Sequence, residues 1–157
     1  MRDAIDEIDI SILAALQVDS ARPVTEIAAE VGLSQAPCWR RIQRLREEGY
    51  IRAEVALLDR RKLGFATQFF AQVRLAAHAR ANLAEFEKAI LAHPEVMECY
   101  ATIGTMDFLL RIVTRDVEHY EDFLMRALSQ LPGVQEIQST LALSEVKSTT
   151  ALPLTKR

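Results

Sequence analysis

Apolar residues in the first fifty positions recur three times at helical spacing. Ile8, Ile12, Leu13 and Leu16 stripe one face of a segment from Asp6 to Val18. Asp6 can cap it, and Asp9 adds a second carboxylate at the positive end of the helix. Asp19-Ser20-Ala21-Arg22-Pro23 breaks the pattern. Val24, Ile27, Ala28 and Val31 then predict a short second helix that Gly32 ends, because glycine enters the left-handed conformation freely. Ser34 is placed to cap a third helix running to about Glu48, with Pro37 in its first turn, where a missing N–H costs little. Three helices with a tight turn between the second and third match the helix-turn-helix, whose last helix enters the major groove of DNA.

Beyond Gly49 the period changes. Tyr50 to Leu58 alternates like a strand, and Asp59-Arg60-Arg61-Lys62-Leu63-Gly64 reads as a polar connector. Thr67 to Leu75 predicts a strand rich in β-formers. Leu83, Phe86, Ile90 and Leu91 predict a helix over 82–92 with Asn82 as its cap, ended by His93-Pro94. Val96–Ile103 and Phe108–Thr114 follow as strands. Asp116 caps a helix with Tyr120, Phe123, Leu124, Ala127, Leu128 and Leu131 on its inner side. Pro132-Gly133 turns the chain into a last strand, Val134 to about Leu143. The order β-α-β-β-α-β predicts a ferredoxin-like layout: one four-stranded antiparallel sheet with two helices on one face. Phe70, Tyr100 and Phe108 are then candidates to pack the other face against a second copy. The expected fold is α+β, with a winged helix-turn-helix domain at 1–50, a strand and linker at 51–64, and the βαββαβ domain at 65–157.

The 157 residues are half hydrophobic, with only 5 glycines and 5 prolines, which excludes collagen-like and low-complexity chains. No apolar run approaches the roughly 18 residues of a membrane span. The start is acidic where a signal peptide is basic and then apolar, so a cytoplasmic protein is expected. Cys38 and Cys99 are too few for a disulfide framework or a zinc site.

A net charge of -3 suggests at first that nucleic acid is not a partner. The distribution reverses that inference. Leu33 to Arg46 holds four arginines and no acid, so this segment is +4 and the remainder of the chain is -7. A compact cationic patch on an anionic body suits a protein that meets phosphate at one surface.

On the third helix Cys38, Ile42 and Leu45 share a side that faces the other two helices. Ala36, Arg40, Gln43 and Arg44 point away, and Gln35, Trp39, Arg41 and Arg46 flank them. Arginine suits guanine or phosphate, and glutamine suits adenine. Gln35, Ala36 and Arg40, near the start of the helix, are best placed for bases, and Ser34 is a further candidate for DNA contact. Arg44 and Arg46 are candidates for phosphate. Trp39 serves equally as a cover for the core edge, Arg41 as a structural ion-pair partner, and Arg46 as a partner of Glu47 or Glu48.

Other chemistry is sparse. His78, His93 and His119 are scattered, and no nucleophile, metalloprotease, P-loop or dinucleotide motif occurs. Gly104-Thr105-Met106-Asp107 reads either as an ordinary hairpin turn or as a cradle for a small zwitterion. In the second case backbone amides would hold its carboxylate and Asp107 its ammonium.

Taken in order, several motifs resemble the Lrp/AsnC family of bacterial and archaeal transcription regulators. They are Asp6-x-x-Asp9-x-x-Ile12-Leu13, Val31-Gly32-Leu33-Ser34-x-x-Pro37-Cys38-x-x-Arg41-Ile42-x-x-Leu45 and Gly49-x-Ile51. They continue with Leu63-Gly64, Gly104-x-x-Asp107-Phe108-Leu109-Leu110, Leu131-Pro132-Gly133-Val134 and Glu145-Val146-Lys147. The resemblance covers essentially the whole chain. It implies double-stranded DNA as a partner, an amino-acid effector, no cofactor, no catalysis, and a homodimer that assembles into tetramers or octamers. It implies an effector pocket between dimers formed from Tyr100, Ala101, Thr102, Gly104, Met106, Asp107, Gln135 and Ser139, with Met106 tuning the side chain accepted. Siroheme decarboxylases look similar and supply an enzyme alternative, which the scattered histidines and the arginine helix disfavour. A ligand-binding module without DNA contact is a third reading.

Overall fold

The computed structural model describes residues 5–77 and 83–154. The chain divides into two compact units. One is built from Met1–Leu57 together with Lys147–Arg157, the other from Leu58–Val146.

In the first unit α1 spans Glu7–Val18, α2 Val24–Glu30 and α3 Gln35–Glu47. The Asp6 carboxylate accepts from the Asp9 N–H, and the Asp9 carboxylate accepts from the Asp6 N–H, a reciprocal capping box. Gly32, at φ +73°, makes the turn into α3 that an L side chain would strain. Ile12, Ile27, Cys38, Ile42 and Leu45 are almost fully buried, so each helix contributes its apolar stripe to one small core. Ser34 stands at the N-cap of α3, but its side chain makes no capping hydrogen bond.

Residues 51–58 correct the expected wing. They form no strand, and residues 52–58 make no backbone–backbone hydrogen bond among the described residues. Alternation predicts which side of a strand is apolar, but a strand needs a neighbour, and the described residues supply none there. The expected 65–157 domain also changes, because its tail joins the first unit. The Gln17 side-chain amide donates to the Leu152 carbonyl and accepts from the Leu152 N–H, both at 2.9 Å.

The second unit has β1 at Thr67–Leu75, α4 at Leu83–Ile90, β2 at Val96–Ala101, β3 at Phe108–Thr114, α5 at Val117–Arg126 and β4 at Val134–Leu141. The sheet order is β2-β3-β1-β4, and the three pairings are antiparallel. This is the ferredoxin-like arrangement. Asp116 caps α5 through the His119 N–H. Asn82, the expected cap of α4, and His78 lie outside the described residues. α4 stops at Ile90, so Leu91 falls beyond the apolar stripe and is exposed. α5 ends at Arg126, earlier than its apolar pattern suggests, and a 3₁₀ turn at Leu128–Gln130 continues it with Leu128 fully buried.

Phe69, Ala71, Val73 and Leu75 of β1 face the helices. Register then assigns Phe108, Leu110 and Ile112 of β3 to the same face. Phe108 is therefore a core residue, 1% exposed and packed against Phe86, and not a candidate for the open face. Phe70 and Tyr100 do lie on that face and are exposed.

Candidate functional site

α3 presents its first turns outward. Ser34, Gln35, Ala36, Trp39 and Arg40 are exposed, while Cys38 and Ile42 anchor the opposite face. Trp39 is 52% exposed and does not cover the core. The four arginines have unlike surroundings, which periodicity does not reveal. Arg41 Nη1 donates to Asp6 at 2.6 Å and to Asp9 at 2.8 Å. Arg44 also donates to Asp9, so it reaches back to α1 and does not point away. Arg46 pairs with Glu54 at 2.5 Å, not with Glu47 or Glu48. Arg40 makes no ion pair among the described residues. Gln43 is half-buried.

The centre of the network is the Asp9 carboxylate, which has no exposed surface. Burial of that charge is tolerated because two guanidiniums and a backbone N–H satisfy it. Burial tends to raise the pKa of Asp6. The Asp9 N–H and the Arg41 guanidinium outweigh it and hold the Asp6 carboxyl below its ordinary pKa. The Asp6 and Asp9 carboxylates in turn raise the pKa of Arg41. Spacing within α3 offers Arg41 for DNA or as a structural ion-pair partner and Arg44 for phosphate, and spacing within α1 offers Asp6 and Asp9 only as caps. The signal that joins them is their placement on helices that must pack, since Asp9 falls on the α1 face that carries Ile12.

In the second unit the β2–β3 hairpin carries the glycine turn. Gly104 has φ +152°, a value glycine adopts readily and other residues avoid. The Thr102 hydroxyl donates to the Met106 carbonyl at 2.8 Å, closing the loop. A cavity of about 200 Å³ lies here, lined by Thr102, Gly104 and Met106 with Gln72, Thr105 and Leu109 among its other walls. Gln72 was not anticipated, although it is a polar residue at an alternate position in the apolar run of β1. The remaining implied pocket residues are not brought to this cavity within one chain. Tyr100 is on the open face and donates to Glu98 at 3.0 Å. Ala101 ends β2, and Gln135 lies exposed on β4. The Asp107 carboxylate accepts from the Leu75 N–H at 2.7 Å, which makes it part of the join between β1 and the hairpin.

Ser139 opposes Ala71 on the helix face, and its hydroxyl lies 2.5 Å from that of Tyr120. Burial raises the Tyr120 pKa, and the Ser139 hydrogen bond partly opposes that rise. Tyr120 is 3% exposed and stacks on Phe69 at a centroid distance of 3.6 Å. Ser139→Ala is therefore expected to leave a buried hydroxyl unpaired, costing about 1 kcal/mol. That corresponds to a fall of about 4–8 °C in the melting temperature of a small domain. A thermal melt compared with wild type checks it, and an unchanged midpoint counts against a structural role.

Of the histidines, His93 meets the Phe123 ring edge-on at 5.5 Å, and His119 lies 3.9 Å from Glu95. Among the described residues no group of three His, Cys, Asp or Glu side chains is arranged to hold a metal ion. No described helix is long and apolar enough to cross a membrane.

Comparison with known proteins addresses both units. A family model for the AsnC-type helix-turn-helix domain matches residues 5–46, and one for the Lrp/AsnC ligand binding domain matches residues 68–152. The Bkd operon transcriptional regulator of Pseudomonas aeruginosa is 40% identical over 150 residues, which cover 96% of this chain and 98% of that protein. The crystal structure of an AsnC family transcriptional regulator from Agrobacterium tumefaciens superposes with a TM-score of 0.90 at 40% identity, over 96% of this chain and 97% of that one. A Neisseria meningitidis transcriptional regulator, solved in complex with L-methionine, also gives a TM-score of 0.90, at 35% identity over the same two shares.

Proposed function

This chain belongs to the Lrp/AsnC family of DNA-binding transcriptional regulators, and we propose that it reads DNA with α3 and takes a small amino acid near the Gly104 turn. The observation that carries the first part is the exposed start of α3. Gln35, Ala36, Trp39 and Arg40 are outward over a buried Cys38-Ile42-Leu45 face, within the span of the helix-turn-helix match. The second part is supported by the cavity against Gly104 and Met106 and by the methionine complex of the Neisseria relative.

The working form is a cytoplasmic homodimer that assembles further, to a tetramer or octamer. Its two recognition helices enter successive major grooves of a roughly palindromic site. Phe70 and Tyr100 give the open sheet face apolar area to bury. Its charges are already paired inside the chain, Glu98 with Arg111 and Arg74 with Glu136, so a second copy would cover it without orphaning them. The implied pocket residues outside the single-chain cavity (Tyr100, Ala101, Asp107, Gln135 and Ser139) would then contribute across the assembly or hold its frame. Effector binding shifts DNA affinity to the extent that it favours one assembly over another.

Thermal-shift screening with the twenty amino acids tests the sensor reading, since a ligand that binds the folded state raises its apparent stability. The expected result is a concentration-dependent rise with at least one amino acid, about 2.7 kcal/mol at a hundredfold excess over Kd. Gly104→Ala should abolish that rise. No shift with any amino acid, and no heat of binding by calorimetry, overturns the sensor reading but leaves DNA binding standing.

A further inference from the structure

We infer that Asp6 and Asp9 set the DNA selectivity of α3 by neutralising Arg41 and Arg44; with Arg46 on Glu54, Arg40 is the cation of the helix left without an ion pair among the described residues. This rests on the proposal that α3 is the DNA-contacting helix, and it concerns how that contact discriminates.

Binding to DNA of any sequence is driven by cations that displace counterions from phosphates. Its salt dependence counts them: log K falls against log salt with a slope of about -0.9 for each phosphate neutralised. Read from sequence, the +4 segment implies up to four such cations per helix. The structure reduces that number. Arg41 is held by Asp6 and Asp9, Arg44 by Asp9, and Arg46 by Glu54.

The two aspartates are not loose surface partners. Asp9 is fully buried, so its attraction for the guanidiniums is weakly screened by salt. Arg41 and Arg44 keep 29% of their side-chain surface exposed, so they remain at the face of the unit without being free charges. A phosphate must compete with a buried carboxylate for them. Contact is then favourable only where the rest of the helix fits, and sequence-independent binding stays weak. A protein that needs to leave most of a genome unoccupied gains from this arrangement.

Asp6→Asn isolates the charge. Asparagine is as good an N-cap as aspartate, so the Asp9 N–H keeps its acceptor while the network gains one positive charge. The probe is a fluorescein-labelled duplex of mixed sequence, titrated by anisotropy at several salt concentrations with the full-length chain. Asp6→Asn should bind it several-fold more tightly at low salt, with a slope steeper by about 0.9 per recognition helix engaged. Adding Arg41→Gln should return the slope to the parental value, which a merely structural effect would not do. Asp9→Asn, checked for folding by thermal melt, should steepen the slope likewise.

Glu47→Gln removes the same charge from a residue of α3 that pairs no arginine among the described residues. Equal steepening with Glu47→Gln, or an unchanged or shallower slope with a folded Asp6→Asn, overturns the inference. Arg40→Ala on the same duplex separates the two levels. If it leaves the slope unchanged, α3 is not the DNA surface and the proposal beneath falls too. If it flattens the slope while Asp6→Asn does nothing, only the inference falls.

Discussion

Arg40→Ala is expected to lose about 1–3 kcal/mol of affinity for a selected operator, a loss of tenfold or more in Kd, with no change in thermal stability. The separation follows from what Arg40 touches. It is exposed, makes no ion pair among the described residues, and lies on the outward side of a helix whose inner side is held by Cys38, Ile42 and Leu45. Its removal therefore takes nothing from the folded state. Arg44→Ala is the informative contrast, because it withdraws a partner from the buried Asp9 carboxylate and so destabilises the unit that presents α3. A loss of DNA binding there reports on folding as much as on contact. Anisotropy at fixed salt, against a duplex selected in vitro and against variants at each base position, measures the Arg40 effect. A penalty confined to one base position marks a base contact, and a uniform penalty marks phosphate. No penalty in either assay removes Arg40 from the interface.

Periodicity carried the sheet unit and the three helices, because both rest on which positions are buried. β1 and β3 fall where alternation and β-propensity place them, and the helix-turn-helix core comprises residues from the expected stripes. Pairing was legible only in part. Residues 51–58 have the composition of a strand but no neighbour among the described residues, and composition does not say where a partner strand comes from. The tail was missed for a related reason. Gln17 and Leu152 are 135 positions apart, and neither is unusual in its own segment. In the DNA-reading site, helical spacing correctly separated the buried from the outward residues of α3. It did not reveal that Asp6 and Asp9 sit across from Arg41 and Arg44, because ion pairs between helices depend on their crossing and not on the spacing within either one. Phe108 shows the same limit in the sheet. Residue type alone offers three aromatics for the open face, and only register places Phe108 on the other side.

Asp9→Ala should unfold the first unit well below the wild-type temperature. Its carboxylate has no exposed surface and accepts from Arg41, from Arg44 and from the Asp6 N–H. Alanine removes all three acceptor contacts, leaves Arg44 without an ion-pair partner among the described residues, and leaves Asp6 alone to balance Arg41 beside it. Breaking a buried pair by deleting one partner costs about 3–5 kcal/mol. The guanidiniums here keep 29% of their surface in water, which can take over part of their solvation, so about 2–3 kcal/mol is the better figure. For a domain of this size each kcal/mol lowers the melting temperature by about 4–8 °C, so a fall of roughly 10 °C or more is expected. Trp39 is the chain's only tryptophan and stands on α3, so its fluorescence follows this unit alone. The sheet unit has a separate core around Phe86, Phe108 and Leu110, and should keep its midpoint when followed by tyrosine absorbance in a Tyr50→Phe background, where the remaining tyrosines, Tyr100 and Tyr120, both belong to it. The two probes, applied to one sample, should therefore separate in Asp9→Ala. Asp9→Asn preserves the volume and an acceptor for the Asp6 N–H, and should fall between the alanine variant and wild type. If the Trp39 midpoint moves by less than about 3 °C in Asp9→Ala, the cluster contributes no more than an exposed ion pair does. The buried charge would then not be what holds α1 against α3.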